Sequence, residues 1–539
     1  AYLPEVGDFA TAGAVNFKTR EVVKEGILQS AGGQFDTQRH LLMLSPTKDK
    51  VRTLFAAEGY YTNGPFINDN RYFRGNLLGR MTLNPTIRSE LSITGTFNQA
   101  QWNGSGEIPL RAVTDGTIDR FGAIDPSEGG KTIRSTGRLN YHYDTTSGGR
   151  FFANAYGQYY KFDLYTNFTF FLNDPVNGDG FQQSDRRVMY GGDTGWRQAL
   201  DLFGIPSDVT AGIQSRIDDI HVRLGPQMTR NPLGTTVDSD VLEASYAPFL
   251  KAEFQPTQWL RLAGGVRSEI FTFNVRNRCP DCPEQPAGRT SAGLVLPKAN
   301  LILGPWFNTE FFANYGEGFH SNDARSAVTP GSSPLARAKT YEVGVRSKPM
   351  GAQGIELIAT LWAVDLQSEL VFVGDEGTTE IRGPTRRRGV EIAARGQIIG
   401  PLYVNGSFTW AKAEFRNGDA IPLAPELTAY GALILRYPEG LTTQLQATYF
   451  GVRPLTEDRS FKAPSWIDVD LSTRYRLPVK LTHGRLEAFL FIQNLFDTKW
   501  EQAVFAFESR LRNETAGVTD IHFVPGNPRF VMGGLAWYF

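Results

Sequence analysis

The feature that most constrains this chain is the alternation of apolar and polar side chains along many short stretches. It is clearest from Ile467 to Leu477, where apolar and polar residues alternate at almost every position. Successive side chains of a β-strand point to opposite faces, so a period of two predicts strands with one apolar and one polar face. Three further stretches show the same pattern: Glu90–Asn98, Ile133–Tyr143 and Leu260–Ile270.

The connections between such stretches alternate as well, from short to long. Compact turns are predicted at Ser45–Lys50, Asn84–Thr86, Asp144–Gly149, Gln255–Gln258, Gly304–Trp306, Lys348–Gly354, Gln397–Pro401, Tyr437–Gly440 and Pro478–Gly484. Long polar segments are predicted at Asp163–Asp185, Arg223–Val241, Asn274–Thr290, His320–Ala336, Gln367–Thr385 and Lys499–Pro528. We therefore predict an all-β fold, a transmembrane antiparallel β-barrel of about 22 strands with long outer loops and short periplasmic turns.

Composition excludes two other classes of protein. Hydrophobic residues make up 41% of the chain, and no stretch approaches the roughly 18 consecutive apolar residues that a membrane helix needs. The formal net charge of -1 argues against a nucleic-acid partner. Aromatic residues at 12% and 56 glycines suit strands that meet lipid on one face only. Such strands must close into a barrel, because lipid offers no partner to the backbone groups of a sheet edge.

The end of the chain adds a second indication. From Arg529 to Phe539 the residues Val531, Leu535, Trp537 and Phe539 share one face of a predicted strand. An alternating last strand that ends in Phe resembles the assembly signal of bacterial outer-membrane proteins, and we assign that role to Trp537 and Phe539. The alternative is an unrelated edge strand, but an unpaired edge strand that exposes aromatic residues promotes aggregation.

Four short segments carry a family resemblance: Gly7–Arg20 (GDFATAGAVNFKTR), Thr340–Arg346 (TYEVGVR), Arg388–Glu391 (RGVE) and Gln493–Asp497 (QNLFD). In this order, they resemble the TonB-dependent outer-membrane receptors. The resemblance implies that residues 1–22 are the C-terminal remnant of a plug domain and that residues 23–539 are the barrel. It also implies a monomer in the bacterial outer membrane, in contact with lipopolysaccharide and outer-membrane lipid. The partners would be a ferric chelate or other small ligand and, through the rest of the plug, the TonB complex.

Two functions remain open at this point. The first is a receptor that takes up a scarce large ligand, such as a ferric siderophore, with energy from the inner membrane. The second is a passive pore or structural barrel without a plug. The plug-like tail favours the receptor. An enzyme is not expected, because the sequence has no GxSxG, HExxH, Walker or Rossmann motif in a suitable setting.

The long loops hold the candidate ligand-binding residues. His320, Asn322, Asp323 and Arg325 follow one strand closely and could hydrogen-bond a polar ligand or ferric chelate, or the loop could only pack against its neighbours. Arg386 and Arg387, with the next arginine, form a basic run that could hold lipopolysaccharide or an anionic ligand, or be a solvated rim. The segment 173–180 has oxygen donors without the spacing of an EF-hand, so we interpret it as a solvated turn.

The two cysteines, Cys279 and Cys282, lie in a proline-rich stretch. A lone CxxC could be a redox pair, half a zinc site or a local disulfide. The six histidines are scattered, and a zinc site would need two more ligands. We favour a disulfide in an oxidising compartment, and we expect no cofactor and no metal site.

Overall fold

The computed structural model describes residues 2–11, 13–47, 50–351, 354–373 and 378–539. The strands are β1 (Ile27–Gly33), β2 (Thr37–Leu44), β3 (Val51–Thr62), β4 (Tyr72–Thr86), β5 (Ser89–Asn103), β6 (Ile108–Pro109), β7 (Gly129–Asp144), β8 (Gly149–Thr166), β9 (Phe181–Leu202), β10 (Ile205–Met228), β11 (Asn231–Pro232), β12 (Val237–Thr257), β13 (Leu260–Asn277), β14 (Gly288–Trp306), β15 (Thr309–Ser321), β16 (Leu335–Ser347), β17 (Glu356–Leu366), β18 (Glu369–Val373), β19 (Thr378–Arg382), β20 (Thr385–Ile399), β21 (Leu402–Phe415), β22 (Leu427–Arg436), β23 (Leu441–Phe450), β24 (Arg453–Pro454), β25 (Lys462–Ala463), β26 (Trp466–Arg476), β27 (Arg485–Gln493), β28 (Glu501–Ser509), β29 (Val518–Pro525) and β30 (Phe530–Tyr538). The short helices are α1 (Leu110–Thr114) and α2 (Ala324–Ala327).

The main sheet closes on itself. Neighbouring strands pair antiparallel in chain order, and β30 pairs with β1 from Ile27 opposite Tyr538 to Gly33 opposite Met532. Without the two-residue β11, the described residues form a closed barrel of 22 strands, which confirms the predicted fold. In the described part of the chain, no helix combines the length and apolar character needed to cross a bilayer.

The two faces of each strand differ as the alternation predicts. On β13, Val266 and Ile270 are 39% and 49% exposed on the outer face, whereas Arg267 and Glu269 are buried on the inner face. Aliphatic side chains turned outward suit lipid, and the inward Arg267 and Glu269 pair with each other on the lumen side of β13. The interior of this barrel is therefore polar near its middle.

The short and long connections fall on opposite rims. Where the structure describes them, the predicted compact turns are present within a few residues, and one turn was missed at Phe203–Gly204, between β9 and β10. Parts of the predicted turns 45–50 and 348–354 and of the predicted loop 367–385 lie outside the described residues. The predicted loops 163–185 and 223–241 were too long, because β9 and β10 extend over 22 and 24 residues. A strand needs only about 9–11 residues to cross the bilayer, so this hairpin projects beyond it on the long-loop side.

The long loops pack into a cap. The predicted polar loop 499–528 contains β28 and β29, and β29 pairs with β6 from another loop. Ile108, Val504 and Phe523 form a buried apolar cluster there. A second cluster packs α2 against Phe271, Phe273 and Phe319, which places the β15–β16 loop over the lumen.

The described residues before β1 form no helix or strand. They enter the lumen and lie against the inner wall of β10 to β15. The side chains of Gln214, Arg267 and Asn300 donate hydrogen bonds to backbone carbonyls of this segment, at 2.9, 3.1 and 3.3 Å. Backbone carbonyls of the segment 2–11 thus help to hold it against the wall.

Candidate functional site

A cavity of about 890 Å³ opens among the long loops. Segments 169–181, 224–237, 285–286, 323–332 and 381–382 contribute to its lining, so five loops distant in sequence meet there. We call it the outer cavity. Pockets of a few hundred to a thousand cubic ångströms are the size that holds small ligands.

Asp323 and Arg325 line the outer cavity and form a rigid pair. Asp323 caps α2 by accepting the backbone N–H of Arg325 at 2.8 Å, and the guanidinium of Arg325 binds both carboxylate oxygens at 3.0 and 2.8 Å. Burial tends to raise the pKa of Asp323, but the hydrogen bonds and positive charge of Arg325 outweigh it and hold that pKa below its usual range. The pair presents fixed polar groups to a ligand.

The turn 173–180 also lines the outer cavity, but its carboxylates already accept hydrogen bonds from neighbouring residues. Asp179 accepts the Thr169 hydroxyl at 2.7 Å and the backbone N–H of Asp174 at 2.7 Å. Backbone and side-chain hydrogen bonds from Asn177 lower the pKa of Asp174. In the ranges that the structure describes, no group of three or more His, Cys, Asp or Glu is arranged to hold a metal ion.

His320 and Asn322 lie beneath the outer cavity and are buried. The imidazole of His320 stacks on Phe9 with ring centroids 5.8 Å apart, and its Nε2 lies 3.1 Å from the backbone oxygen of Ser368. The Asn322 amide donates to the backbone oxygen of Ser333. These two side chains therefore support the loop rather than line the cavity.

Asp8 joins the N-terminal segment to the same loop. Its carboxylate accepts the backbone N–H of Ser321 at 2.7 Å and the Ser321 hydroxyl at 2.6 Å. Burial raises the pKa of Asp8, although the hydrogen bonds from Ser321 act in the opposite direction. Segment 2–11 thus contacts the start of the loop that carries Asp323 and Arg325.

Arg386 and Arg387 lie outside the lining of the outer cavity, on opposite faces of β20. Arg386 donates to Asp365 at 3.0 Å, and Arg387 donates to Glu369 at 2.6 Å and to the Thr385 hydroxyl at 2.9 Å. The structure brings Asp323 and Arg325 together, and it separates both of them from this arginine pair.

Residues 49–495 match the family described as "TonB dependent receptor-like, beta-barrel". The chain belongs to this family. Among curated relatives, the ferrichrome receptor FcuA of Yersinia enterocolitica is 25% identical over 240 residues, which cover 40% of this chain and 30% of the relative. The catecholate siderophore receptor Fiu of Escherichia coli O157:H7 is 23% identical over 318 residues, 51% of this chain and 40% of the relative. These matches span less than half the length of either relative.

Solved structures show the same fold. The unliganded ferric citrate transporter FecA superposes with a TM-score of 0.83 at 16% identity, over 99% of this chain and 82% of that one. The siderophore receptor PiuA from Acinetobacter baumannii gives 0.79 at 14% identity, over 99% and 84%. For this TonB-dependent receptor barrel, family and fold imply an outer-membrane location, with the long loops outside and the short turns in the periplasm.

The remaining predicted residues lie at the two rims of the receptor barrel. A disulfide joins Cys279 to Cys282 in the outer loop next to the cavity lining at Gln285. At the periplasmic rim, the rings of Trp537 and Phe539 are 4.5 Å apart, and the backbone of Phe539 exchanges two hydrogen bonds with Gly26.

One contact in the outer cap of the receptor was missed by the sequence analysis. Ser509 Oγ lies 2.7 Å from His522 Nε2, but both side chains are fully buried, and Nδ1 faces the backbone oxygen of Asp520 at 3.1 Å. Burial lowers the pKa of His522 to about 4. A neutral imidazole with no path to solvent stabilises the loop sheet and offers nothing to a substrate.

Proposed function

We propose that this protein is a TonB-dependent receptor that takes up a ferric siderophore or similar chelate across the outer membrane. The outer cavity carries the proposal: five outer loops enclose a space of ligand size above the lumen of a barrel of this family. Asp323 and Arg325 are the residues we assign to ligand contact, and His320 and Asn322 are assigned to supporting their loop.

The contacts of the N-terminal segment support this mechanism. We assign residues 1–22 to the end of a plug domain and the TonB complex to the rest of that plug. Asp8 and Phe9 contact Ser321 and His320 directly below the outer cavity. A ligand that shifts α2 would therefore act on the plug end through two residues.

The passive-pore alternative is disfavoured. The relatives named above are described as receptors for ferrichrome and catecholate siderophores, and a pore has no use for a segment bound inside its lumen. We further infer a monomer without enzymatic activity, surrounded by outer-membrane lipid.

The proposal is tested by uptake of radioactive iron in cells that lack their own siderophore receptors and express the native full-length protein. Ferrichrome, a ferric catecholate and ferric citrate are supplied separately, with and without a functional TonB. We expect uptake of at least one chelate that stops without TonB. Uptake of none, or uptake that is independent of TonB, would overturn the proposal.

A variant pair locates the site. Arg325→Ala removes a guanidinium from the cavity wall and should weaken chelate binding about tenfold, the usual effect of losing one charge-assisted hydrogen bond. The matched control is Arg276→Ala, an exposed arginine on the outer face of β13, which should leave binding unchanged. Equal effects of the two variants would place the ligand elsewhere.

A further inference from the structure

The ionisable side chains in the wall of the outer cavity give it an excess of negative charge. Among the lining residues that the structure describes, they are Asp174, Asp179, Asp323, Arg325 and Arg382. The carboxylates outnumber the guanidiniums by one, and they come from two different loops. A ligand that enters the cavity therefore meets a wall that is negative rather than positive.

Both guanidiniums of the wall already have carboxylate partners. Arg325 donates to both oxygens of the carboxylate that caps α2, at 3.0 and 2.8 Å, and a nitrogen of Arg382 lies 3.8 Å from a carboxylate oxygen of Glu457. Asp174 and Asp179 accept hydrogen bonds from neutral groups, and neither pairs with a cation in the ranges that the structure describes. The positive charge of the wall is therefore neutralised, whereas part of its negative charge is not.

The rest of the lining is uncharged. Hydroxyl and amide groups come from Thr236, Ser326, Ser332 and Gln285, between short apolar side chains. Phe181 is the only aromatic residue in the part of the lining that the structure describes. A catechol ring gains most from stacking on aromatic rings or guanidinium planes, and this wall offers few of either. It suits a ligand with an amide-like surface of carbonyl oxygens, N–H groups and methylenes.

The charge of a ferric chelate depends on its iron-binding groups. Catecholates carry two negative charges each, so a ferric triscatecholate is a trianion, and ferric citrate complexes are anionic as well. Hydroxamates carry one negative charge each, so a ferric trishydroxamate is neutral, or singly positive where the siderophore keeps a free amine. Like charges brought together at an interface oppose binding, and opposite charges favour it. The wall of the outer cavity therefore favours the hydroxamate class.

We propose that the outer cavity selects ferric hydroxamates, neutral or singly positive, and excludes the anionic catecholate and citrate complexes. The inference rests on the proposed uptake of a ferric chelate and narrows it to one chemical class. Arg325 acts as a hydrogen-bond donor to the chelate, since two of its five N–H groups bind Asp323 and the others can reach a hydroxamate or amide oxygen. Asp174 and Asp179 supply the negative charge that repels the anionic chelates.

The test uses the native full-length protein in detergent and isothermal titration calorimetry. The probes are ferrichrome, which is neutral, ferrioxamine B, which is singly positive, and ferric enterobactin, which is a trianion. We expect both hydroxamates to bind at least about a hundredfold more tightly than ferric enterobactin. Raising the salt concentration should narrow this difference, because salt screens the repulsion. Tighter binding of ferric enterobactin or of ferric citrate would overturn the proposed selection.

The uptake experiment separates this inference from the function on which it rests. We expect import of the two hydroxamates, dependent on TonB, and of neither anionic chelate. TonB-dependent import of ferric enterobactin or ferric citrate alone would overturn the hydroxamate selection and leave the receptor function intact. Import of no chelate would overturn both.

A matched pair of threonine variants tests whether the charge of the wall sets the selection. Thr329 and Thr515 are both exposed residues of outer loops, but only Thr329 lines the outer cavity. Thr329→Lys should raise the affinity for ferric enterobactin about tenfold and leave ferrichrome binding unchanged, whereas Thr515→Lys should change neither. Both variants must keep the heat-dependent gel mobility of the folded barrel. Equal gains in the two variants, or no gain in Thr329→Lys, would contradict the proposal.

Discussion

At the scale of the residue, Asp8 is the contact between the N-terminal segment and the loop that bears α2. Asp8→Ala removes the acceptor of the Ser321 N–H, and a buried donor without a partner costs about 1–3 kcal/mol. We expect hydrogen exchange at Ser321 to accelerate about tenfold, as measured by mass spectrometry of peptides that cover the end of β15. Asp8→Asn keeps one acceptor oxygen and serves as the control, with slower exchange than Asp8→Ala. Unchanged exchange in Asp8→Ala would show that the contact holds nothing in place.

His522 makes the outer cap sensitive to acid. Burial lowers the pKa of His522 in the folded protein to about 4, from its usual value of 6.5. The unfolded cap binds a proton at His522 more readily than the folded cap does. The folded cap therefore has its full stability above pH 6.5 and loses it as the pH falls toward 4. This loss of folding free energy is roughly 3 kcal/mol, because a shift of one pKa unit corresponds to about 1.4 kcal/mol.

Exchange of the β28–β29 amides should therefore rise between neutral pH and pH 4, beyond the intrinsic effect of pH on exchange. His522→Phe keeps a ring to stack on Phe507, whose centroid lies 3.9 Å from the imidazole. This variant should lose the acid-dependent opening. A cap that opens equally in both proteins would assign the pH effect to another group.

At the scale of the element, two turns offer a matched comparison. Gly204 and Gly484 both have φ of +80°, but a Cβ at Gly204 meets nothing, whereas one at Gly484 would lie 1.8 Å from the backbone oxygen of Tyr538. Gly484→Ala should prevent the last hairpin from closing and reduce the folded, fast-migrating band in unheated gels. Gly204→Ala carries the same left-handed strain without the clash, and most of its folded band should remain.

The sequence revealed strands better than it revealed what the loops do. Alternation identified the barrel because each strand has lipid on one side and polar surroundings on the other. The turn at Phe203–Gly204 was missed, because Leu202 and Ile205 flank it with apolar residues that look like one continuous strand. The loop strands β28 and β29 were missed, and β6, which pairs with β29, lies more than 400 residues away in the sequence.

The candidate site was predicted only in part for the same reason. Asp323 and Arg325 were found because polar residues cluster locally after a strand. Thr236 and Gln285 line the same outer cavity, but nothing in their own segments indicates it. A site built by five loops is defined by contacts between distant segments, which a single sequence does not contain.

At the scale of the whole molecule, one face of the barrel meets lipid and the other meets polar surroundings, so an introduced arginine should destabilise the two faces to different extents. Val266→Arg places a charge on the lipid face of β13 and should destabilise the barrel by about 2–3 kcal/mol. Ala263→Arg on the same strand points into the lumen, where it lines a second cavity, and should cost far less. Unfolding by guanidinium from lipid vesicles measures both. Equal losses would contradict the assignment of the faces.

The seam between β1 and β30 has a consequence for the order of events during folding. Its seven paired residues join the two ends of the barrel, so each of its contacts spans almost the entire chain. Contacts of such long range form late, since closing the largest loop costs the most chain entropy. Every other hairpin can form while the seam is open. We therefore expect the strand that ends in Trp537 and Phe539 to stay without its final partner for longest, open to the cell's assembly machinery until the barrel closes.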